Sequence, residues 1–535
     1  MMRTSRYVTP HDLCAWIAGF AIAAALLFAG SSAARAMEPD LAMVGALHEP
    51  KAEHVDQQEL LNMVKAGQTL EVFLEAFELG DELFGTAFNA LDGVGAHVGN
   101  GQRFSRVPRM DLTGFGEWAN HFPARPTGPN GESCADCHRQ PVEDGSGPAT
   151  ENVIRDPLRT GSPASFINRN TPHLFGAGAV QRLAEEMTGE LHERRDTALQ
   201  QAAADAAPVR VELLAKGVSF GFLTANPDGT LNTGEVAGVS TDLVVRPFQW
   251  KGNFLSTREF NRDASNGEIG MQAVEVVGYG VDGDYDGVTD EMTIGDQTAL
   301  AVYIAGQPRP TSQVELAALG LIPPLGAAEL AAIGHGSQVF KNVGCDSCHV
   351  QRLLIDDPIY SEPSQNPAYR DAVFPAGQDP VAEGVDPLYP IQFDLTRDQP
   401  DNQIKDRFGN VVYRLGSFPR LPNGRAAVRL FGDLKRHDMG PGLAEPVDEA
   451  GTGASVFLTE NLWGVGSTAP YLHDGRATTL AEAILAHGGE AEASSQAFAA
   501  LAPEDQSALI AFLNNQVLFV MEEDPTTRKH HRHRR

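Results

Sequence analysis

The stretch "CADCH" at residues 134–138 returns as "CDSCH" at residues 345–349, 211 positions later. The chain has 5 cysteines, and Cys14 lies in an N-terminal apolar segment. Each of the other four therefore belongs to a C-x-x-C unit that a histidine follows directly. A secreted disulfide framework, a zinc site or a redox dithiol has no need of that histidine in both copies.

A c-type haem site uses all three residue positions. The two thiols bond to the vinyl groups of the porphyrin, and the adjacent imidazole coordinates the iron. We therefore predict two covalently bound haem c groups. The predicted attachment and proximal residues are Cys134, Cys137, His138, Cys345, Cys348 and His349. The alternative is a disulfide within each motif.

The first 36 residues have the order of a secretory signal. Arg3 and Arg6 precede the apolar run Trp16 to Gly30, and a small-x-small cleavage pattern ends at Ala36. The run is shorter than the roughly 20 residues of a membrane span. We expect cleavage after Ala36, a periplasmic protein and no stable membrane span after signal removal, with an uncleaved anchor as the alternative.

The formal net charge of -29 restricts the partners. Phosphate binding draws its affinity from Lys and Arg, so nucleic acid is not expected as a partner. A small basic electron-transfer protein suits this surface as the donor, because complementary fields speed encounter. The basic tail "RKHHRHRR" is expected to be disordered and is given no role.

Both haem motifs have similar surroundings. "GDELFGTAF" precedes the first motif and "GHGSQVF" the second, each with a G-x-x-x-F pattern. We interpret this similarity as an internal duplication. Helical patterns dominate both halves, so the predicted fold class is mainly α, with long irregular insertions and minor β, the strands lying within Thr230 to Val277.

The clearest predicted helix follows Thr479. Thr479 and Glu482 form a T-x-x-E capping box, and Gly488 stands where a C-terminal cap belongs. The apolar spacing places His487 on the buried face of this helix. Further helices are predicted over Glu59 to Leu79 and Pro503 to Val517.

The run from His437 to Ala493 resembles the di-haem oxidoreductase family, which is related to bacterial di-haem cytochrome c peroxidases. The resemblance extends over roughly Leu79 to Val517 and implies two cytochrome-c-like haem domains that face an interdomain cleft. The implied boundaries are 1–36 for the signal, 37–320 and 321–520 for the haem domains, and 521–535 for the tail.

The resemblance also implies a sixth ligand for the C-terminal haem. The peroxidases have methionine fourteen residues after the histidine of a "PYFHDG"-type motif; here that histidine is His473 and the matching position is His487. We predict ligation by His349 and His487, with His437 and Met439 as competing ligands. A bis-histidine iron has a lower potential than a histidine–methionine one. His473 and Arg476 are expected to contact the haem propionates.

The N-terminal haem is expected to have an open face. Resting peroxidases have a distal histidine soon after the first motif, but no histidine lies between His138 and Pro172. His121, His173 or Met187 are the alternatives that would close that face.

Peroxide chemistry needs a group that moves a proton between the peroxide oxygens. The resemblance makes Glu186 the candidate, with Glu185 next; ordinary solvated glutamates are the alternative. Trp250 in "PFQWKG" is predicted to conduct electrons between the haems, whereas Trp463 is interpreted as a core residue.

"DGDYDGVTDE" resembles the opening of a calcium loop, because hard oxygens crowd around one turn. The predicted ligands are Asp282, Asp284, Asp286 and Asp290. Without a cation these carboxylates repel one another. Thr293 occupies the twelfth position instead of the usual glutamate, although Glu291 is near, so a metal-free turn is the alternative.

The sequence thus predicts a peroxidase-type oxidoreductase that receives electrons at the C-terminal haem and reduces peroxide or another small oxidant at the N-terminal haem. The alternatives are an electron-transfer cytochrome without a substrate site and haem-dependent oxidation or oxygenation of an organic molecule. A dithiol role has no residues left if all four cysteines bind haem.

Overall fold

Helices outweigh strands in the structure. The computed structural model describes residues 52–89, 91–94, 130–148, 153–155, 163–283, 287–370, 374–375 and 377–521. Of these, 36% are helical and 16% lie in strands, which confirms the mainly α prediction with minor β. The α-helices within the described ranges are α1 (Gln57–Lys65), α2 (Thr69–Gly85), α3 (Ala177–Asp205), α4 (Thr257–Ala264), α5 (Val274–Val277), α6 (Ile294–Ala305), α7 (Gln313–Ala318), α8 (Ala327–Asn342), α9 (Leu480–Ala486), α10 (Glu492–Ala499) and α11 (Pro503–Asn514). Among the described helices, none is both long and apolar enough to cross a bilayer.

The strands are short and pair in antiparallel ribbons. They are β1 (Val153–Arg155), β2 (Ile167–Arg169), β3 (Val209–Ala215), β4 (Val218–Ala225), β5 (Leu231–Val236), β6 (Thr311–Ser312), β7 (Leu353–Ile355), β8 (Ile359–Glu362), β9 (Ile391–Asp394), β10 (Gln403–Lys405), β11 (Val411–Arg414), β12 (Ala426–Val428), β13 (Arg436–Asp438), β14 (Val456–Leu458) and β15 (Gln516–Val517). β3, β4 and β5 form a three-stranded sheet in that order, and the other described strands pair as β1–β2, β6–β15, β7–β12, β8–β9, β10–β11 and β13–β14.

Several predicted elements have different bounds in the structure. The predicted helix Glu59 to Leu79 is two helices, α1 and α2, because Gly67 between them has a φ of +77° that ends the first helix. The closing helix α11 stops at Asn514, so the chain then forms β15 against β6. The region predicted to contain strands holds β5, followed by α4 and α5.

Helix α9 has the predicted capping box. The Thr479 hydroxyl accepts the Glu482 N–H at 3.2 Å, and Glu482 Oε2 accepts the Thr479 N–H at 3.0 Å. The helix ends at Ala486 with His487 as its cap residue. Gly488 follows in an extended conformation, with φ of -126°, and not in the left-handed conformation of a glycine cap.

The G-x-x-x-F pattern has the same packing role in both halves. Helix α2 packs on α6 and α8 packs on α11. Gly80 lies against the backbone of Ala299, and Gly336 against the backbone of Ala508, so a Cβ at either glycine would overlap the partner helix. Phe84 and Phe340, four residues later, each line the cavity that contains the following C-x-x-C-H motif.

The larger apolar core includes residues from both predicted haem domains. Phe73 of α2 stacks on Phe393 of β9 with ring centres 4.3 Å apart. A smaller core joins α8 and α11 around Phe340 and Leu509. The predicted boundary after residue 320 falls in the connection between α7 and α8, and the two-domain division stays a prediction. The signal segment lies outside the described residues, as does the tail beyond residue 521.

Candidate functional site

The first motif lies in a 3-10 turn, Cys134–Asp136, that side chains cap. The Ser133 hydroxyl accepts the Asp136 N–H at 3.2 Å, and the Asp136 carboxylate accepts the Ser133 N–H at 3.3 Å. The side chains of Cys134, Cys137 and His138 line one cavity, here called the N-terminal cavity. The capped turn therefore presents both thiols and the imidazole to the same space.

The second motif has the same arrangement. A 3-10 turn, Cys345–Ser347, follows Gly344, and Cys345, Cys348 and His349 line a second cavity, the C-terminal cavity. His349 Nδ1 lies 3.1 Å from the carbonyl oxygen of Phe431. A donor Nδ1–H in that contact leaves Nε2 as the coordinating nitrogen.

Burial sets the protonation of both motifs. It lowers the pKa of His138 and of His349 to about 4 each, so both imidazoles are neutral at pH 7, as metal coordination requires. Burial raises the pKa of Cys134 to about 12 and that of Cys345 to about 11. These buried thiols are protonated, unlike the low-pKa thiolate of a redox dithiol. The four cysteines are not joined by disulfides in the described structure.

The donor sets fit haem c and not zinc. Within the described residues, the side chains spaced closely enough to share a metal ion are Cys348, Asp433 and His437. This group does not include Cys345, so the C-x-x-C pair does not form half of a zinc site. Two thiols and one imidazole in a largely apolar cavity match the needs of a covalently bound haem. Covalent attachment itself stays a prediction.

Trp250 lies between the two cavities and lines both. Its indole Nε1–H donates to the Asn170 carbonyl oxygen at 2.9 Å, and Asn170 also lines both cavities. The indole ring stands edge-on to the imidazole of His473, with centres 6.4 Å apart. The predicted conduit residue is therefore the aromatic side chain that borders both haem motifs.

His487 lines the C-terminal cavity with His349. Its Nδ1 contacts the Ala483 carbonyl oxygen at 2.7 Å, which leaves Nε2 for coordination. Burial lowers the pKa of His487, so the imidazole is neutral at pH 7. Met439 lines the same cavity. His437 also does, but carboxylates contact both of its ring nitrogens, so its imidazole is not available to iron.

Of the two side chains predicted to contact the haem propionates, one lines the C-terminal cavity and the other does not. His473 lines the C-terminal cavity and stacks on Phe457 with ring centres 4.2 Å apart. Arg476 does not line that cavity; it contacts the Asp474 carboxylate at 2.6 Å and the Gly442 carbonyl oxygen at 2.8 Å. His473 therefore fits a haem contact better than Arg476 does.

The alternative ligands for the N-terminal haem lie elsewhere. His173 lines the C-terminal cavity, and its Nε2 contacts the Trp463 carbonyl oxygen at 3.0 Å. Met187 is fully buried in the larger core, as is Trp463, which confirms that this tryptophan is a core residue. His121 lies outside the described residues.

Neither predicted catalytic glutamate reaches the N-terminal cavity. Both lie in α3, where Glu185 pairs with Arg182 and accepts the Ser364 hydroxyl at 2.9 Å. Glu186 accepts the Asp356 N–H at 2.8 Å and pairs with Lys216 at 2.7 Å. Both carboxylates therefore hold α3 to the segment 356–364, which contains β8, and this geometry does not support an acid–base role.

A different glutamate, Glu268, lines the N-terminal cavity. It lies in a π-helical turn, Ser265–Ile269, that extends α4, and such turns are frequent at functional sites. Its Oε2 accepts Asn130 Nδ2 at 2.7 Å, and its Oε1 lies 3.7 Å from the Arg155 guanidinium. Burial raises the pKa of Glu268 to about 7, against the opposing effects of Arg155 and Asn130.

The sequence around Glu268 contains no catalytic motif, so sequence reasoning missed this residue. The π-helical turn that draws attention to it is visible only in the structure. Arg155 and Arg169 also line the N-terminal cavity and were not predicted. Both are paired with acidic side chains, and Arg169 Nη2 contacts Glu445 at 3.1 Å. Both lie at the N-terminal cavity, whereas Arg476 was predicted to contact the propionates of the C-terminal haem.

The predicted calcium loop is only partly described. Asp282 Oδ2 accepts the Gly287 N–H at 3.1 Å, and Asp290 Oδ1 accepts the Gly280 N–H at 2.7 Å. Asp284 and Asp286 lie outside the described residues. Calcium binding at this loop stays a prediction.

Comparison with known proteins finds a family match in the C-terminal part of the chain. Residues 424–516 match the family model described as "Di-haem oxidoreductase, putative peroxidase". This segment is similar to the di-haem oxidoreductase family. The match confirms the predicted resemblance, and the comparison with curated proteins found no match. A solved structure described as a MauG-like protein associated with microbial copper homeostasis is similar at 13% identity over 54% of this chain and 77% of its own, with a TM-score of 0.25.

The di-haem oxidoreductase match contains His437, Met439, His473 and His487. Neither C-x-x-C-H motif lies within it, and Trp250 and Glu268 lie upstream. The match therefore does not cover the two motifs, and the assignment of individual residues rests on the two cavities.

Proposed function

We propose that the protein is an exported di-haem c-type oxidoreductase that accepts electrons at the C-terminal haem and reduces peroxide at the N-terminal haem. The proposal rests on one observation: two cavities, each with two cysteines and a histidine, share Trp250. The C-terminal family match supports the di-haem and peroxidase parts of the proposal. Bound haem would supply one-electron storage and, at an open face, a site for peroxide.

The residues of each cavity suit different tasks. In the C-terminal cavity, His349 and His487 offer two neutral imidazoles for one iron, which suits electron transfer. In the N-terminal cavity His138 is, among the described lining residues, the sole histidine, and no methionine lines it. That composition supports a haem with one protein ligand and an open face.

Glu268 is the acid–base group in this proposal. Peroxide reduction consumes two electrons and two protons: H2O2 + 2 e⁻ + 2 H⁺ gives 2 H2O. The Glu268 carboxylate accepts the proton from the oxygen that binds and returns it to the oxygen that leaves as water. With a pKa near 7, the group is able to do both at neutral pH.

The position of Trp250 supports electron transfer between the two haems, and the C-terminal haem is the proposed entry point because its two imidazoles suit electron transfer. The indole lies on the wall between the cavities, fixed by its hydrogen bond to Asn170. The donor is expected to be a small electron-transfer protein of basic charge, because the chain has a net charge of -29.

EPR spectroscopy of the fully oxidised protein, produced with cytochrome c maturation, tests the proposal. Mass spectrometry first establishes that two haems are attached. We expect a high-spin ferric signal from the N-terminal haem beside a low-spin signal from the C-terminal haem, and His138→Ala should remove the high-spin signal. Two low-spin signals that persist after partial reduction would instead indicate an electron-transfer cytochrome.

A further inference from the structure

The segment that contains His487 packs directly on the segment that contains Met439. After α9 the chain passes through His487 and Gly488 into a 3-10 turn, Gly489–Ala491. Residues 437–440 lie opposite. A Cβ on Gly488 would stand 3.0 Å from the Met439 carbonyl oxygen, and one on Gly440 would stand 2.8 Å from the Gly489 nitrogen. The two backbones therefore touch with no layer of side chains between them.

Each segment offers an axial ligand to the same cavity. His487 and Met439 both line the C-terminal cavity, which also contains His349. Imidazole and thioether are both ligands of haem iron, and they give different potentials. A small displacement of one segment relative to the other would change which side chain is the closer ligand.

His437 connects the two segments. Its Nδ1 contacts Glu490 Oε2 at 2.7 Å, and its Nε2 contacts Asp433 Oδ2 at 2.9 Å. Glu490 Oε1 also accepts the N–H of Asp438, at 3.0 Å. We call these three side chains, Asp433, His437 and Glu490, the His437 clamp. It joins strand β13 to the turn that begins two residues after His487.

The charges of the clamp make its contacts stronger than neutral hydrogen bonds. Each ring nitrogen of His437 contacts a carboxylate oxygen, and both nitrogens can donate only when the imidazole has two protons. The imidazole is therefore a cation between two carboxylates, and charge-assisted hydrogen bonds are stronger than neutral ones. Asp433 is buried, whereas the Glu490 side chain is 53% exposed, so Glu490 can be changed without opening the core.

We propose that the His437 clamp selects His487 over Met439 as the sixth ligand of the C-terminal haem. This inference rests on the proposed ligation of that haem by His349 and His487. With Glu490 in place, the turn after His487 is fixed on β13 and the imidazole stays in the cavity. Without Glu490 the two-glycine segment can move, the imidazole withdraws and the Met439 thioether takes its position. The exchange moves no electrons and leaves His349 in place, so Glu490 is a positioning residue.

The test compares Glu490→Ala and Glu490→Gln with Glu492→Ala in the full-length protein with both haems attached. Glu492 is an exposed glutamate two residues along whose carboxylate accepts Gln496 Nε2 in its own helix, so it is a matched control. The measurements are the low-spin EPR signals, the near-infrared band of methionine–iron ligation, and the reduction potential of the C-terminal haem.

We expect Glu490→Ala to give a second low-spin species with the methionine band and a higher potential. This species should be mixed with the parent species, because the lost contact between His437 and Glu490 is half exposed to solvent. Glu490→Gln should give less of that species, since the amide oxygen can still accept a hydrogen bond, and it also serves if the alanine variant does not fold. Glu492→Ala should match the parent. Adding Met439→Leu to Glu490→Ala should remove the new species.

Two results would overturn the inference, and they differ from each other. If the parent is bis-histidine and both Glu490 variants keep its spectrum and potential, the clamp does not select the ligand, and the proposed ligation stands. If the parent itself has the methionine band, the proposed ligation by His487 is wrong and the inference falls with it.

Discussion

A carboxyl group with a pKa near 7 can both accept and return a proton at neutral pH, and Glu268 is such a group. Its raised pKa results from burial beside Asp263 and Glu449, which outweighs the nearby Arg155 and the hydrogen bond from Asn130. Glu186, by contrast, is held by Lys216 and by two backbone N–H groups. The difference between the two glutamates is one of surroundings, which a sequence pattern does not contain.

Glu268→Gln should slow the reaction with peroxide by roughly 10²–10⁴-fold, because an amide cannot accept the first proton. In the parent the carboxylate form is the acceptor, so the rate constant should rise as pH increases through about 7 and then level off. The variant should lose this rise. Stopped-flow absorbance with peroxide, and with cyanide as a non-reacting ligand, measures both effects.

Glu193→Gln is the matched control for that experiment, since Glu193 is an exposed glutamate of α3. It should keep the parent rate and pH profile. If Glu268→Gln keeps the parent's pH profile for both peroxide and cyanide, Glu268 is not the acid–base group.

Trp250→Phe tests the path between the cavities at the level of one side chain. Phenylalanine keeps an aromatic ring but is harder to oxidise, and it loses the hydrogen bond to Asn170, worth about 1 kcal/mol. We expect normal haem content and slower electron transfer from the C-terminal to the N-terminal haem, measured by stopped-flow reduction. Trp463→Phe, in the larger core, is the control. Equal inter-haem rates in both variants would refute the conduit.

At the scale of elements, local patterns predicted what local interactions decide. The capping box at Thr479 formed because hydroxyl and carboxylate satisfy N–H groups within one turn. The helix predicted over Glu59 to Leu79 was wrong at Gly67, where a positive φ ends α1. The cavities draw on segments more than a hundred residues apart, such as Phe84 and Glu268, so no local pattern could have identified their full lining.

The two glycines of "GHG" give a matched pair within α8. A methyl group at Gly336 would overlap the Ala508 backbone of α11, whereas Gly334 has nothing within 4 Å of such a group. Gly336→Ala should therefore destabilise the protein by about 1–3 kcal/mol through overpacking. Gly334→Ala should stabilise it by about 0.5–1 kcal/mol, because alanine loses less backbone entropy. Urea unfolding followed by circular dichroism measures both; a similar loss in the two variants would contradict the packing argument.

At the scale of the whole molecule, the two halves repeat one arrangement and then diverge. Each has a helix with G-x-x-x-F, a 3-10 turn with C-x-x-C-H and a cavity. Besides its motif histidine, the C-terminal cavity is lined by four histidines and a methionine that are absent from the described lining of the other cavity. The N-terminal cavity instead contains Glu268 beside Arg155. In the proposed function, this repetition supplies two haem sites close to one tryptophan, and the divergence gives each site its own chemistry.

The net charge of -29 predicts how the molecule meets its donor. Opposite charges raise the encounter rate by about 10–10³-fold at low salt, and salt screens that attraction within about 8 Å at physiological ionic strength. The rate constant for reduction by a small basic cytochrome should therefore fall at least about 10-fold from low to high salt. An acidic cytochrome of similar potential is the control, and its rate constant should rise or stay level, because screening relieves repulsion. Stopped-flow mixing over a salt series measures both, and a basic donor whose rate ignores salt would show that the surface charge plays no part in docking.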